Sequence, residues 1–105
     1  MKPYEIAACV HKMFTEHPEK FRQGEYFVDD GYCTLGAAIL CVNPTFDYYN
    51  KGSYVNQLPK SVQIFSQQYS EVNGRSVDAV NDYCGLSAVL EGLEKMIEKG
   101  LKNAA

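Results

Sequence analysis

Residues 86–97, LSAVLEGLEKMI, carry the clearest folding pattern in this 105-residue chain. Their apolar residues recur every three or four positions, which is the period of an α-helix that buries one face. Glu91, Glu94 and Lys95 fall on the opposite face, where charged neighbours one turn apart support a helix. The pattern predicts a helix over residues 86–100 whose apolar face needs a packing partner.

Two other amphipathic segments can supply that partner. Residues 3–16 start with a proline, which suits the first turn of a helix, and Pro18 ends the pattern. Residues 59–72 show the same spacing of apolar side chains and are followed by Gly74, a typical residue just after a helix. A short helix over residues 76–82, capped by a serine, is expected to connect this segment to the last helix.

The region between the first two predicted helices has a different pattern. Gln23–Val28 is aromatic and β-branched enough for a strand, Asp29–Gly31 is a turn signal, and Tyr32–Cys33 begins a short return strand. Residues 34–42 are apolar and rich in small residues, and Thr34 as a cap favours a helix there.

The predicted fold is therefore a helix-rich α+β single domain, residues 1–105, with one small β-hairpin. Its helices are expected near residues 3–16, 34–42, 59–72, 76–82 and 86–100. The chain is too short for a second independent core.

Charge and hydropathy limit the classes of partner. The net charge is −3, and the basic residues are scattered singly, so the stripe needed for nucleic acid is missing. No run of 18 apolar residues is present, which predicts no membrane partner. The first residues lack the apolar core of an export signal, so a cytoplasmic location is expected.

Neither the cysteines nor the histidines form a metal-binding pattern. The four cysteines contain no CxxC pair, and His11 and His17 are not at ligand spacing from them, so no metal is expected. No glycine-rich phosphate loop is present, and we expect no cofactor. In a cytoplasm the cysteines are expected to be reduced thiols, and Cys9 and Cys41 to be packing residues.

Cys33 offers the one candidate for catalysis. It lies just before a predicted helix, where backbone N–H groups and the helix dipole can lower the pKa of a thiol. Such a nucleophile needs a base, and His11 with Asp82 would complete a catalytic set. The alternative is that Cys33 has only a structural role between the hairpin and the helix.

That structural alternative includes four more residues. Gln23, Gly24, Cys33, Asn81 and Asp82 are predicted to form one junction where the hairpin meets the helices. Amide side chains can satisfy the backbone groups left open there, and glycine allows a positive φ. Gln23→Ala is expected to lower stability by about 1 to 3 kcal/mol if the groups that it satisfies are buried.

The irregular segment from Phe46 to Tyr54 combines four aromatic residues with polar and turn-forming ones. Long loops of this kind are often functional, and tyrosine is enriched at protein interfaces. We therefore expect Tyr48, Tyr49 and Tyr54 to bind a partner. The alternative is that Phe46 and one or two tyrosines fold back onto the core.

Short motifs along the chain resemble those of a small bacterial and phage family of unknown function. They are His17–Gly24 (HPEKFRQG), Asp29–Gly31, Cys33–Ala38 (CTLGAA) and Gly74–Asp82 (GRSVDAVND). The family's versions are Trp-x-Gln-Gly, a short hairpin, Cys-x-x-Gly-Ala at a helix start, and Asn-Asp before a final helix. Phe21 and Val80 stand where the family has tryptophan. The resemblance implies a shared fold and no particular reaction.

Three function classes follow from these observations. The first is a noncatalytic protein-binding module, such as a phage-encoded inhibitor of a host enzyme or defence complex of the anti-CRISPR type. The second is a cysteine-dependent enzyme that uses Cys33. The third is a structural protein that oligomerises, and the oligomeric state is left open. Small size, mild acidity and the tyrosine-bearing loop favour the first.

Overall fold

In a computed structural model, which describes residues 1–47 and 57–104, this part of the chain forms five α-helices and one antiparallel hairpin. The helices are α1 (Pro3–Glu16), α2 (Thr34–Val42), α3 (Lys60–Asn73), α4 (Val77–Ala79) and α5 (Leu86–Ala104). The strands are β1 (Phe27–Val28) and β2 (Gly31–Tyr32). A 3₁₀ turn (Pro18–Lys20) follows α1, and a π-helical turn (Val80–Cys84) follows α4. The predicted helix-rich α+β fold is confirmed.

The core lies where α5 packs on α1 and α3. Each helix contributes the face that its apolar period predicts, and α1 also contacts α2. The fully buried side chains of these three helices are Ile6, Ala7, Val10, Phe14, Val62, Phe65, Tyr69, Val89 and Leu93. Burial of the larger of these side chains stabilises the fold by about 1.5 to 3 kcal/mol each, so this packing holds the helices in place.

The hairpin is shorter than predicted. Phe27 pairs with Tyr32 and Val28 with Gly31, which leaves Asp29 and Asp30 as a two-residue turn. Both turn residues have positive φ, 48° and 62°, as the tight turns of hairpins require.

The prediction of a strand that begins at Gln23 is wrong for residues 23–26, which do not belong to a strand. Gly24 has a φ of 91°, which interrupts the extended backbone. The Gly24 N–H donates a hydrogen bond to the Asp82 carboxylate instead of to a neighbouring strand. Residues 23–26 therefore approach the π-helical turn.

Helix α2 starts as predicted, but its cap is different. Cys33 is the cap, because its sulfur accepts a hydrogen bond from the Gly36 N–H at 3.4 Å, and Thr34 is already the first helical residue. A Cβ atom on Gly36 would collide with the carbonyl oxygen of Tyr26. The glycine thus lets the hairpin approach the first turn of α2.

The expectation of reduced, unpaired Cys9 and Cys41 is wrong in this structure. The two residues form a disulfide that joins α1 to α2, with Cα atoms 6.2 Å apart. That separation is ordinary for a disulfide. Helical periodicity placed both residues on packed faces, but it carries no information on which residues of two helices face each other.

The predicted binding residues Tyr48, Tyr49 and Tyr54 lie outside the described residues. Phe46, just before them, is half-buried, and its ring stacks on Phe27 with centroids 5.6 Å apart. Phe46 thus folds back onto the hairpin, as the alternative for that residue expected. In the described part of the chain, no helix has the length and apolar character needed to span a membrane.

Candidate functional site

Asn81 is the centre of the contact between the hairpin and the π-helical turn. Asn81 is 2% exposed, and both the oxygen and the nitrogen of its side-chain amide are hydrogen-bonded. The Oδ1 atom accepts from the Thr34 N–H at 2.9 Å and from the Thr34 hydroxyl at 2.6 Å. The Nδ2 atom donates to the Arg22 carbonyl at 3.0 Å and to Asp82 Oδ1 at 2.9 Å. One buried side chain therefore joins three separate segments.

Two more contacts complete this junction. The Gly24 N–H donates to Asp82 Oδ1 at 2.9 Å, and Gln23 Nε2 donates to the Asn81 carbonyl at 3.1 Å. The structure thus brings together Gln23, Gly24, Asn81 and Asp82, with Cys33 next to Thr34. The Gln23 side chain itself is exposed, whereas the carbonyl that it satisfies belongs to Asn81, which is buried.

Residues two apart in the π-helical turn point to opposite sides of it. The Gly85 N–H bonds to the Val80 carbonyl at 3.2 Å, so the turn is wider than that of an α-helix. Asn81 is directed inward, whereas Tyr83 is 85% exposed. π-Helical turns are found frequently at functional sites.

A cleft of about 300 Å³ lies between this turn and the segment before β1. It is lined by Gly24, Glu25, Tyr26, Cys33, Thr34, Leu35, Asp78, Asn81 and Asp82. Three of these side chains are carboxylates, and none of the described residues that line the cleft is a lysine, arginine or histidine.

Burial, with the negative charge of the cleft as a second cause, raises the pKa values of two of its groups. Partial burial raises the pKa of Asp78, and the nearby Asp82 carboxylate raises it further. Partial burial also raises the pKa of Tyr26, and the charge of Asp78 adds to this effect. Both shifts agree with a cleft whose described lining residues include carboxylates and no lysine, arginine or histidine.

Cys33 lies in this cleft in the wrong state for a nucleophile. It is 8% exposed, and burial raises its pKa to about 11. The Gly36 and Leu35 N–H groups act in the opposite direction, as expected at a helix start, but burial has the larger effect. A thiol of this kind is protonated at neutral pH, and only the thiolate is a good nucleophile.

The proposed catalytic set is not assembled. Cys33 and Asp82 line the same cleft, but His11 is not among the residues that line it. Its Nε2 atom lies 3.1 Å from Glu94 Oε2 on α5. Among residues 1–47 and 57–104, no group of three or more His, Cys, Asp or Glu residues is arranged to hold a metal ion.

Sequence reasoning missed Thr34, Glu25 and Tyr83 as members of this region. The spacing of Asp78 and Asp82, one helical turn apart, was a usable signal for a shared acidic surface. Nothing in the spacing of Glu25 indicated that the hairpin would bring it to the same cleft.

No family model, curated protein or solved structure matches this chain. The resemblance to the bacterial and phage family rests on the short motifs alone and stays a prediction.

Proposed function

We propose that the protein is a noncatalytic protein-binding module whose cleft accepts a positively charged side chain, arginine or lysine, of its partner. The observation that carries this proposal is the unbalanced charge of the cleft. Glu25, Asp78 and Asp82 line a concavity of about 300 Å³ that has no basic residue among its described lining. A cation entering it would gain favourable interactions with all three carboxylates.

The pKa shift of Asp78 supports a cationic ligand. Burial and Asp82 disfavour the ionised form of Asp78 in the free protein. An opposite charge within a few ångströms favours the ionised form, so binding of a guanidinium or ammonium group would reverse the shift. Groups with perturbed pKa values in a cleft are often functional.

An exposed tyrosine beside the cleft favours a protein partner. Tyr83 follows Asp82 directly and projects from the π-helical turn with 85% of its surface exposed. A tyrosine combines a large apolar area with a hydroxyl group and is enriched at protein interfaces. Its ring can also stack on an arginine guanidinium.

A cysteine-dependent reaction is the weaker candidate. The pKa of Cys33, about 11, keeps the thiol protonated, and His11 is engaged with Glu94 instead of the cleft. A binding role needs neither group to react.

The biological setting that we propose is the one that the sequence suggested. A phage-encoded inhibitor of a host enzyme or defence complex, acting in the bacterial cytoplasm, would use such a binding surface without chemistry of its own. In a cytoplasm, disulfides are mostly transient or redox-sensing. The Cys9–Cys41 disulfide is therefore unusual for a protein that acts in a cytoplasm.

The proposal can be tested by titrating isotope-labelled protein with acetyl-Gly-Arg-Gly amide and following the amide resonances. We expect saturable shifts concentrated at Gly24, Tyr26 and Asp82, which border the cleft. The acetyl-Gly-Glu-Gly amide peptide serves as the matched control and should give no saturable shift. Shifts that do not saturate, or that lie mainly on α3 and α5, would contradict a binding site in the cleft.

A further inference from the structure

Cys84 is an exposed thiol beside a second pocket of the protein. It ends the π-helical turn, and α5 begins two residues later at Leu86. The pocket next to it has a volume of about 160 Å³, and we call it the Cys84 pocket. Its lining includes Tyr69, Arg75, Cys84, Glu91, Gly92 and Lys95. None of its described lining residues also lines the cleft, so a reaction at Cys84 takes place outside the proposed binding site.

An arginine side chain contacts the sulfur atom of Cys84. Arg75 Nη1 donates a hydrogen bond to Cys84 Sγ at 3.0 Å, and both residues are exposed. Within residues 1–47 and 57–104, no ion pair joins Arg75 to a carboxylate. A guanidinium group has five N–H donors and binds a carboxylate through two of them. Arg75 can therefore hold a carboxylate while it stays next to the sulfur.

The hydroxyl group of Tyr69 is a second donor in the Cys84 pocket. Tyr69 is 1% exposed, and its hydroxyl lies against the pocket wall, where a Cβ atom on Gly92 would collide with it. This hydroxyl forms no hydrogen bond with any described residue, although buried polar groups are nearly always paired. Burial raises the pKa of Tyr69 to about 12, so the hydroxyl is protonated at neutral pH and can donate to a ligand.

The charges around the Cys84 pocket favour an anion. Arg75 and Lys95 are the basic residues of its described lining, and Glu91 is the acidic one. Glu91 Oε1 lies 3.5 Å from Lys95 Nζ, so these two charges compensate each other and the charge of Arg75 is left over. The start of α5 adds the positive end of a helix dipole, and Ala88 of its first turn lines the pocket. The pocket thus has surplus positive charge in a chain whose net charge is −3.

We propose that Cys84 is a modification site, at which a small disulfide that carries carboxylates, such as oxidised glutathione, forms a mixed disulfide with the protein. Arg75 and the Tyr69 hydroxyl bind the carboxylate, which brings the disulfide bond of the reagent close to the Cys84 sulfur. This inference does not depend on the proposed function, because the two sites use different residues.

The reaction is a thiol–disulfide exchange. Cys84 attacks one sulfur of the small disulfide as a thiolate, so that a new bond between the two sulfurs forms and the original disulfide bond breaks. The other half of the reagent leaves as a thiolate and takes up the proton that Cys84 has lost. Cys84 is oxidised and the leaving half is reduced, so no further oxidant is needed. Cys33 is a poor competitor, because it is buried and burial raises its pKa to about 11.

The reaction rates of two aromatic disulfides test the role of Arg75. Each half of dithiobis(nitrobenzoate) carries a carboxylate, whereas dithiodipyridine is uncharged, and both release a thiol that absorbs light. We expect Arg75→Gln to lower the ratio of the two rate constants by about threefold or more. The ratio is decisive because any change in the thiolate fraction of Cys84 affects both reagents equally.

Lys102→Gln is the matched control, because it removes one exposed positive charge near the other end of α5. It should change the ratio by less than about twofold, since salt screens distant charges. Tyr69→Phe removes only the hydroxyl and should lower the ratio by about twofold or more. Circular dichroism of each variant checks that it is folded.

Oxidised glutathione then identifies the modified residue. Mass spectrometry of the folded natural chain should find one glutathionyl group, on Cys84, and the Cys84→Ser variant should carry none. An unchanged ratio of rate constants in Arg75→Gln or in Tyr69→Phe would overturn the proposed site, because the residue would then not select a carboxylate. An equal decrease in Lys102→Gln would also overturn it, because the overall charge of the protein would then explain the preference.

Discussion

The helical core and the junction beside the cleft are held together by different forces. In the core, apolar side chains such as Phe14, Phe65 and Leu93 are fully buried, and their packing is non-directional. At the junction, Asn81 makes four hydrogen bonds that need particular atoms at particular distances. Both regions therefore contribute to the stability of the fold, and the junction in addition sets the shape of the cleft.

The largest effect is expected from a substitution in the core. Phe14→Ala removes a fully buried ring that packs edge-on against Phe21, with centroids 5.4 Å apart. The cavity and the lost burial should lower the free energy of unfolding by about 3 to 5 kcal/mol. Urea denaturation measures this loss. A decrease in the free energy of unfolding of less than about 1 kcal/mol would contradict the observed packing, because the core would then have to close the cavity left by the ring.

Removal of the central amide of the junction is the next test. Asn81→Ala leaves the buried Thr34 N–H and the Arg22 carbonyl without partners, and we expect a loss of about 2 to 4 kcal/mol. The matched control is Asn73→Ala, because the half-buried Asn73 side chain donates to the carbonyls of Tyr69 on α3 and Gly92 on α5 and leaves no backbone N–H without a partner when it is removed. It should cost less in the same urea titration, and an equal loss in both variants would contradict the special place of Asn81.

Gln23 should matter much less than the sequence suggested. Its side chain is exposed, so water can replace the hydrogen bond to the Asn81 carbonyl when the amide is removed. We expect Gln23→Ala to lower the free energy of unfolding by less than about 1 kcal/mol. Thermal unfolding followed by circular dichroism can measure this. A loss as large as that of Asn81→Ala would show that Gln23 is a second structural centre.

The smallest expected effect has the opposite sign. Folding raises the pKa of Asp78, so the folded state favours the protonated carboxyl, and stability is lost as the pH rises through that pKa. Asp78→Asn should therefore stabilise the protein slightly at neutral pH, by no more than about 0.5 kcal/mol. The advantage should vanish in acid, where Asp78 of the natural chain is protonated. Unfolding curves of the variant and of the natural chain at pH 3 and pH 7 measure this difference. A stabilisation by Asp78→Asn that is larger at pH 3 than at pH 7 would contradict the prediction.

The same difference between core and junction explains what the sequence could predict. Most helix boundaries and the buried faces followed from local periodicity, since burial of one face needs no knowledge of the partner. The predicted helix 76–82 is an exception, because its α-helical part ends at Ala79 and a π-helical turn follows. The pairing of Cys9 with Cys41 and the meeting of Glu25 with Asp78 depend on how distant segments pack. The pKa of Cys33 was misjudged because position at a helix start indicated a lowering, while burial, which only the fold defines, raises it.

The proposed binding of a cation by the cleft can be tested most directly with two charge-matched variants. Glu25→Gln/Asp78→Asn removes two carboxylates of the cleft and leaves the hydrogen-bonded Asp82 intact. Glu71→Gln/Glu98→Gln removes two exposed carboxylates on α3 and α5 and changes the net charge equally.

The measurement is the Kd of acetyl-Gly-Arg-Gly amide for both variants and for the natural chain. Loss of charge-assisted contacts should weaken binding to the cleft variant by about tenfold or more, and binding to the control variant by less than about twofold. Equal weakening of both variants would show that only the overall charge of the protein attracts the peptide. Unchanged binding to the cleft variant would show that the peptide binds elsewhere.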